Sequence, residues 1–271
     1  MEKLKNIKLI ASDIDGTLIN SKSETTKKTV EMIKKAHEQG IKFAICSGRP
    51  VSGITPLLKD WNLEEYCDYV IGMNGGEVLD RTNNKFITSY MLDEPTLKKL
   101  IKLYDAQGFI TCYFDDTGLY VSRMSDDVIN VATRTKSPVF TADIYEKTKG
   151  PQTKLMMIVE PERMDEIHEF YEKTKDESKY IGFKTAHDLF EINHPLLGKD
   201  VGVRIVAASM NIDLDNVLAF GDTTNDVPML SDLKHSVVMA NGTQDAKDVA
   251  KYETLSCNDD GIAVFLEKYV L

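Results

Sequence analysis

Short apolar runs of three to six residues recur along the chain, each closed by a polar, often glycine-containing turn, and between them lie stretches with apolar positions at helical spacing. Leu9-Ile10-Ala11 leads into Asp13-Ile14-Asp15-Gly16-Thr17, which predicts a buried strand with a functional loop at its C-terminal end. A helix is expected next: Thr25 or Thr26 caps it, Val30, Ile33 and Ala36 or His37 share a face, and Gly40 stops it. Residues 41–46 predict a second strand ending at Ser47-Gly48-Arg49-Pro50, where the proline suits the first turn of another helix. Residues 69–72 predict a third strand. This alternation predicts an α/β fold with a parallel sheet, right-handed crossovers and helices on both faces, a Rossmann-like three-layer αβα core.

The rhythm changes after Asn74-Gly75-Gly76, where residues 77–80 and 85–90 read as paired strands around a polar turn. From there to residue 193 the chain mixes short strands with helices over 93–107, 125–135 and 161–173. Asp115-Asp116-Thr117-Gly118 and Ala186-His187-Asp188 are hairpin signals in this stretch. The expected organisation is a core over 1–82, an inserted α+β module over 83–193 and the rest of the core over 194–271, with hinges near 78–85 and 192–197. Past the insertion the βα rhythm resumes: helix 199–210, strand 217–220, helix 224–231, strand 236–239, helix 245–251 and a final helix over 261–269.

Charge narrows the function. The 271 residues carry 33 Lys and Arg against 43 Asp and Glu, a formal net charge of −10, without a basic run to grip a polyanion, so a nucleic-acid partner is not expected. The four cysteines are too few and scattered for a disulfide framework or a zinc site. The apolar runs are strand-sized, short of the ~20 residues of a membrane span, and residues 1–6 lack a signal-peptide pattern. The expectation is a cytoplasmic protein without a membrane partner; its oligomeric state is not legible.

Two carboxylates two apart, Asp13 and Asp15, follow one buried strand, and Gly221-Asp222-Thr223-Thr224-Asn225-Asp226 follows another, so both acidic loops open at the edge where α/β sheets bind ligands. Hard oxygen ligands without His or Cys favour Mg2+. The five histidines show no metal-ligand spacing. Ser47 and Gly48 bring a hydroxyl and free N–H groups of a helix start, suited to phosphoryl oxygens, and Lys199 opens the helix after the insertion. Asn74 and Arg49 are candidates for substrate contact, although Asn-Gly is also a common turn.

Those pieces, in that order, resemble the haloacid dehalogenase superfamily of phosphatases, and the insertion resembles the large cap of its Cof-type subfamily IIB. The resemblance covers essentially the whole chain. It departs from the family pattern at Asp200, where a glycine usually follows the lysine, and at Thr223 and Thr224, where small residues usually follow the aspartate. It implies that Asp13 is the nucleophile forming an aspartyl-phosphate and that Asp15 is the general acid and base. By the same resemblance magnesium is held by Asp13, the Asp15 carbonyl and Asp222, with Asp226 in support, and Ser47, Lys199 and Asn225 bind the transferring oxygens. The implied partner is a small phosphorylated metabolite, with sugar phosphates the leading class. A phosphomutase sharing the intermediate and a non-catalytic sensor of phosphorylated metabolites are the competing readings.

Overall fold

The computed structural model describes residues 3–115 and 117–271, which divide into two compact units, Met1–Ile87 with Gly198–Leu271, and Thr88–Leu197. In chain order the first unit begins with β1 (Leu9–Asp13), α1 (Lys27–Glu38), β2 (Lys42–Cys46), α2 (Val51–Ile54), α3 (Leu57–Asp60), β3 (Tyr69–Gly72), β4 (Glu77–Asp80) and β5 (Lys85–Thr88). The second contains α4 (Glu94–Asp105), β6 (Ile110–Asp115), β7 (Gly118–Val121), α5 (Asp126–Thr135), β8 (Val139–Thr141), α6 (Ile144–Lys147), β9 (Lys154–Ile158), α7 (Met164–Thr174), β10 (Ile181–Ala186) and β11 (Leu189–Asn193). The chain then completes the first unit with α8 (Lys199–Ser209), β12 (Val217–Gly221), α9 (Val227–Asp232), β13 (His235–Met239), α10 (Gln244–Val249), β14 (Tyr252–Thr254) and α11 (Gly261–Tyr269).

The core sheet runs in the order β14-β13-β12-β1-β2-β3-β4-β5. β1 lies between β2 and β12 and is parallel to both. Every residue of β1, β3 and β12 is buried, as their continuous apolar runs require when helices cover both faces of a sheet. Succession from β1 leads through β2 and β3 to one side and from β12 through β13 to the other. The loops after β1 and β12 therefore bound the crevice at the point where strand order reverses. This is the expected α/β class, here with an antiparallel extension, since β4 pairs with β3 in reverse.

Local departures have physical causes. Thr26 caps α1 by accepting the Thr29 N–H, and Gly40, at φ +82°, ends it in the left-handed conformation a glycine adopts freely. Its buried face is Thr29, Met32, Ile33 and Ala36, so Val30 and His37 sit at its margin. The second unit starts at Thr88 rather than residue 83 because β5 continues the core sheet beside β4 and Ile87 packs on the core. It ends at Leu197 rather than 193, past a turn in which the Leu197 N–H donates to the His194 carbonyl.

In the second unit the sheet order is β10-β11-β9-β6-β7-β8. Leu155 and Met157 of β9 face α4 and α7 in one cluster, whereas Met156 and Ile158 face α5 in another, so side-chain alternation separates two apolar layers. Continuing the α5 side of that sheet, Lys154 donates to Glu191 Oε1 at 2.8 Å with both side chains buried. Glu191 Oε2 and Asn193 Oδ1 have no hydrogen-bond partner there. β6 and β7 pair antiparallel as their hairpin signal predicts, although Asp116 of that turn lies outside the described residues. No helix among the described residues is long and apolar enough to cross a membrane, and all four cysteines are free thiols.

Candidate active site

Asp13 ends β1 and Lys199 opens α8, and their side chains meet in the interior of the first unit: Lys199 Nζ donates to Asp13 Oδ1 and to Asp226 Oδ1, each at 2.6 Å. The lysine side chain is 0% exposed, so its ammonium is stable only because two carboxylates replace lost water. Burial works to lower its pKa, and the attraction of Asp13 and Asp226 outweighs this, holding it well above the ordinary lysine value.

Asp226 uses its other oxygen on the loop that carries it. Oδ2 accepts the backbone N–H groups of Asp222 and Thr223 at 2.9 and 3.0 Å, and the Thr223 side chain closes a reciprocal capping box. Gly221 has no room for a side chain, since a Cβ would lie 2.6 Å from that of Asp226. Asp222 is thereby aimed at the loop after β1. Thr17 Oγ1 donates to its Oδ1 at 2.9 Å, and Gly16, at φ +85°, passes so close that a Cβ would sit 2.3 Å from Oδ2.

Carboxylate oxygens of Asp13, Asp222 and Asp226 all lie within 4.8 Å of one another. Burial pushes the Asp13 carboxyl well up against the opposing pull of Lys199, with Asp226 and Asp222 adding to the rise. Burial and then Asp226 push Asp222 up to about 6. Three buried carboxylates against one ammonium leave two negative charges, and the donors are hard oxygens, so the residues present fit a divalent cation such as magnesium.

The other expected residues are placed as follows. Ser47 is buried after β2, its Oγ accepting the Arg49 N–H at 3.2 Å. Gly48 lies against the Asn74 side chain, where a Cβ would be 3.2 Å from Oδ1. Asn74 belongs to the four-residue turn joining β3 to β4, has φ 53°, donates its backbone N–H to the Ser47 carbonyl at 2.9 Å, and keeps a buried Oδ1 without a hydrogen-bond partner. Asn74 thus lies in a turn that packs beside the loop after β2. Asn225 is exposed and accepts from Thr223 Oγ1 at 2.6 Å, apart from the buried cluster. The Asp15 side chain is also outside that cluster: it is exposed and bound by Arg49, whose Nη2 lies 2.7 and 2.8 Å from its two oxygens.

Sequence reading left Thr17 and Asn241 without roles. Asn241 follows β13 at the same sheet edge, donates from Nδ2 to the Gly16 carbonyl at 2.8 Å, and accepts the Cys257 N–H. Its signal was available, an Asn-Gly turn directly behind a buried apolar strand.

Comparison with known proteins decides the family: residues 10–266 match the model of the haloacid dehalogenase-like hydrolases. The chain belongs to that family. A Bacillus subtilis relative, YxeH, whose name carries a provisional phosphatase assignment, is 31% identical over 267 residues, spanning 97% of this chain and 98% of its own. A haloacid dehalogenase-like hydrolase from Bacteroides thetaiotaomicron superposes with a TM-score of 0.85 at 23% identity, covering 96% of this chain and 98% of its own. A structure described as the subclass IIB sugar phosphatase BT4131 superposes at 0.80 with 22% identity and the same coverage. The chain is therefore an enzyme of the phosphatase type within the haloacid dehalogenase superfamily.

Proposed function

We propose that this haloacid dehalogenase-family enzyme is a magnesium-dependent phosphomonoester hydrolase for small phosphorylated metabolites, sugar phosphates in particular, working through an aspartyl-phosphate on Asp13. The observation that carries the reading is the Lys199 ammonium held between Asp13 and Asp226 beside Asp222. Lys199 fixes Asp13 Oδ1 and so orients the carboxylate for attack on phosphorus. As the Asp13 O–P bond forms and the ester P–O bond breaks, Asp15 gives a proton to the departing alkoxide. Asp15 then takes a proton from the water that cleaves the acyl-phosphate, regenerating the Asp13 carboxylate. Ser47 and the N–H of Gly48, with Lys199 and Asn225, are the donors for the transferring oxygens, and Asn74 contributes from the neighbouring turn. A divalent cation held by Asp13, the Asp15 carbonyl and Asp222, with Asp226 in support, would polarise the phosphoryl group and offset its charge. The second unit takes the place in the chain of the family's inserted cap.

The test is phosphate release from a panel of sugar phosphates, nucleotides, pyridoxal phosphate and flavin mononucleotide, with magnesium and with EDTA, for the unaltered enzyme and Asp13→Asn. Turnover that requires both magnesium and Asp13 is expected. Activity retained by a folded Asp13→Asn variant, or indifferent to EDTA, would overturn the assignment. Transfer of the phosphoryl group between substrate hydroxyls with little free phosphate would make the enzyme a mutase.

A further inference from the structure

Arg49 was a candidate for substrate contact, yet its guanidinium is bound to Asp15, with Nη2 at 2.7 Å from Oδ1 and 2.8 Å from Oδ2. The pair is the more informative for being at the surface. The Asp15 side chain is 57% exposed, and a short exposed carboxylate beside a buried cluster of three others has no reason of its own to keep one rotamer. Arg49 supplies that reason, because one charged nitrogen, Nη2, within hydrogen-bond distance of both oxygens keeps the carboxylate turned toward the guanidinium.

The backbone that carries Arg49 is anchored on both sides. Its N–H donates to Ser47 Oγ at 3.2 Å and its carbonyl accepts the Met73 N–H at 2.8 Å. Gly72 packs so closely that a Cβ there would lie 2.9 Å from the Arg49 carbonyl oxygen. Asp15 is held as well, through a bridge to Ile19 across the tight turn after β1. Two fixed backbones thus bring one flexible carboxylate and one guanidinium together across the loops of neighbouring strands β1 and β2.

We propose that Arg49 is a positioning residue acting through Asp15: it holds the proton-transfer group in place instead of gripping the substrate's phosphate. This rests on the phosphatase reading above. The two alternatives separate with the leaving group. Release of an alkoxide from a hexose 6-phosphate needs a proton from Asp15, whereas p-nitrophenolate departs from p-nitrophenyl phosphate without one. A residue that only positions Asp15 therefore matters to the first ester and not to the initial cleavage of the second.

The experiment measures steady-state turnover of a hexose 6-phosphate and the single-turnover burst of p-nitrophenolate for the unaltered enzyme, Arg49→Ala and Arg49→Lys, with thermal unfolding as the check on folding. Arg49→Ala is expected to lower kcat on the hexose phosphate by roughly 10- to 100-fold, the scale of a misplaced catalytic group, with KM changed less than about 3-fold. Its p-nitrophenolate burst should stay within about 3-fold of the unaltered enzyme. Arg49→Lys, which returns the charge without the planar fork, should recover part of kcat. A burst slowed as much as hexose phosphate turnover, or a raised KM with kcat unchanged, would show that Arg49 contacts the phosphate directly and overturn this inference alone. No turnover of any ester by the unaltered enzyme would overturn the phosphatase reading, and this inference with it.

Discussion

Replacing Lys199 with methionine tests the electrostatic account of the site in a form independent of turnover. Methionine has a similar length, so the change removes a charge while leaving little cavity. Breaking a buried ion pair by deleting one partner costs about 3–5 kcal/mol. Here a single ammonium serves two carboxylates at 2.6 Å with Asp222 close by, so the upper part of that range is expected at pH 7 in EDTA. For a unit of this size about 1 kcal/mol shifts Tm by roughly 2–4 °C, which places the loss at about 8–20 °C. Without Lys199 the Asp13 carboxyl, already pushed up by burial, should rise further. An acid whose folded pKa lies above its unfolded value lowers stability above the folded pKa, so the deficit should shrink as pH falls. Adding Asp226→Asn removes one of the stranded charges and should restore part of the loss, a non-additivity that contacting groups are expected to show. Urea and thermal unfolding of the single and double variants between pH 5 and 8 measure all three effects. A Lys199→Met protein within about 1 kcal/mol of the unaltered one, or a deficit that grows towards acid, would refute the reasoning.

Two further outcomes are expected. Because Asp222 is pushed from 3.8 up to about 6 by burial and Asp226, the metal-free protein should lose up to about 3 kcal/mol as pH rises through that window; Asp222→Asn should flatten the slope in urea unfolding with EDTA, and an unchanged slope would assign it elsewhere. In the second unit, Glu191→Leu alone breaks the buried ion pair with Lys154 and should cost about 3–5 kcal/mol, while Lys154→Met with Glu191→Leu should recover most of it; equal losses in the single and double variants, read by chemical unfolding, would contradict a buried-pair origin.

What could be read from the sequence divides along a physical line. Strands β1, β2, β3 and β12 announce themselves because burial on both faces demands continuous apolar residues, and the acids of their loops follow directly in the chain. β8 and β14, three residues each at sheet edges, are too short to express a period. The crossing at Thr88 was placed too early because the polar turn before Lys85 reads as a boundary, although β5 beyond it still belongs to the core sheet. In the site, Asp13 and Asp222 were legible as a pair of acidic loops, whereas the attachments of Asp15 to Arg49 and of Asp222 to Thr17 join different strands through side chains, and no local spacing encodes such a contact. The environment of Lys199 shows the same limit. A lysine opening that helix reads as a donor to phosphoryl oxygens, and only the tertiary fold shows it paired with the Asp13 and Asp226 carboxylates.

The contacts that complete the site span most of the chain, 186 residues between Lys199 and Asp13 and 205 between Thr17 and Asp222. A ribosome making this protein releases Asp13 long before the lysine that neutralises it and longer still before β12, the strand that must pair beside β1. During that interval the N-terminal strands have an incomplete sheet and an exposed edge on the side where β12 belongs. The central strand order therefore also sets a timetable: the pairing of Lys199 with the acids is a late event of synthesis, and a chain truncated before Lys199 carries Asp13 without its counter-charge.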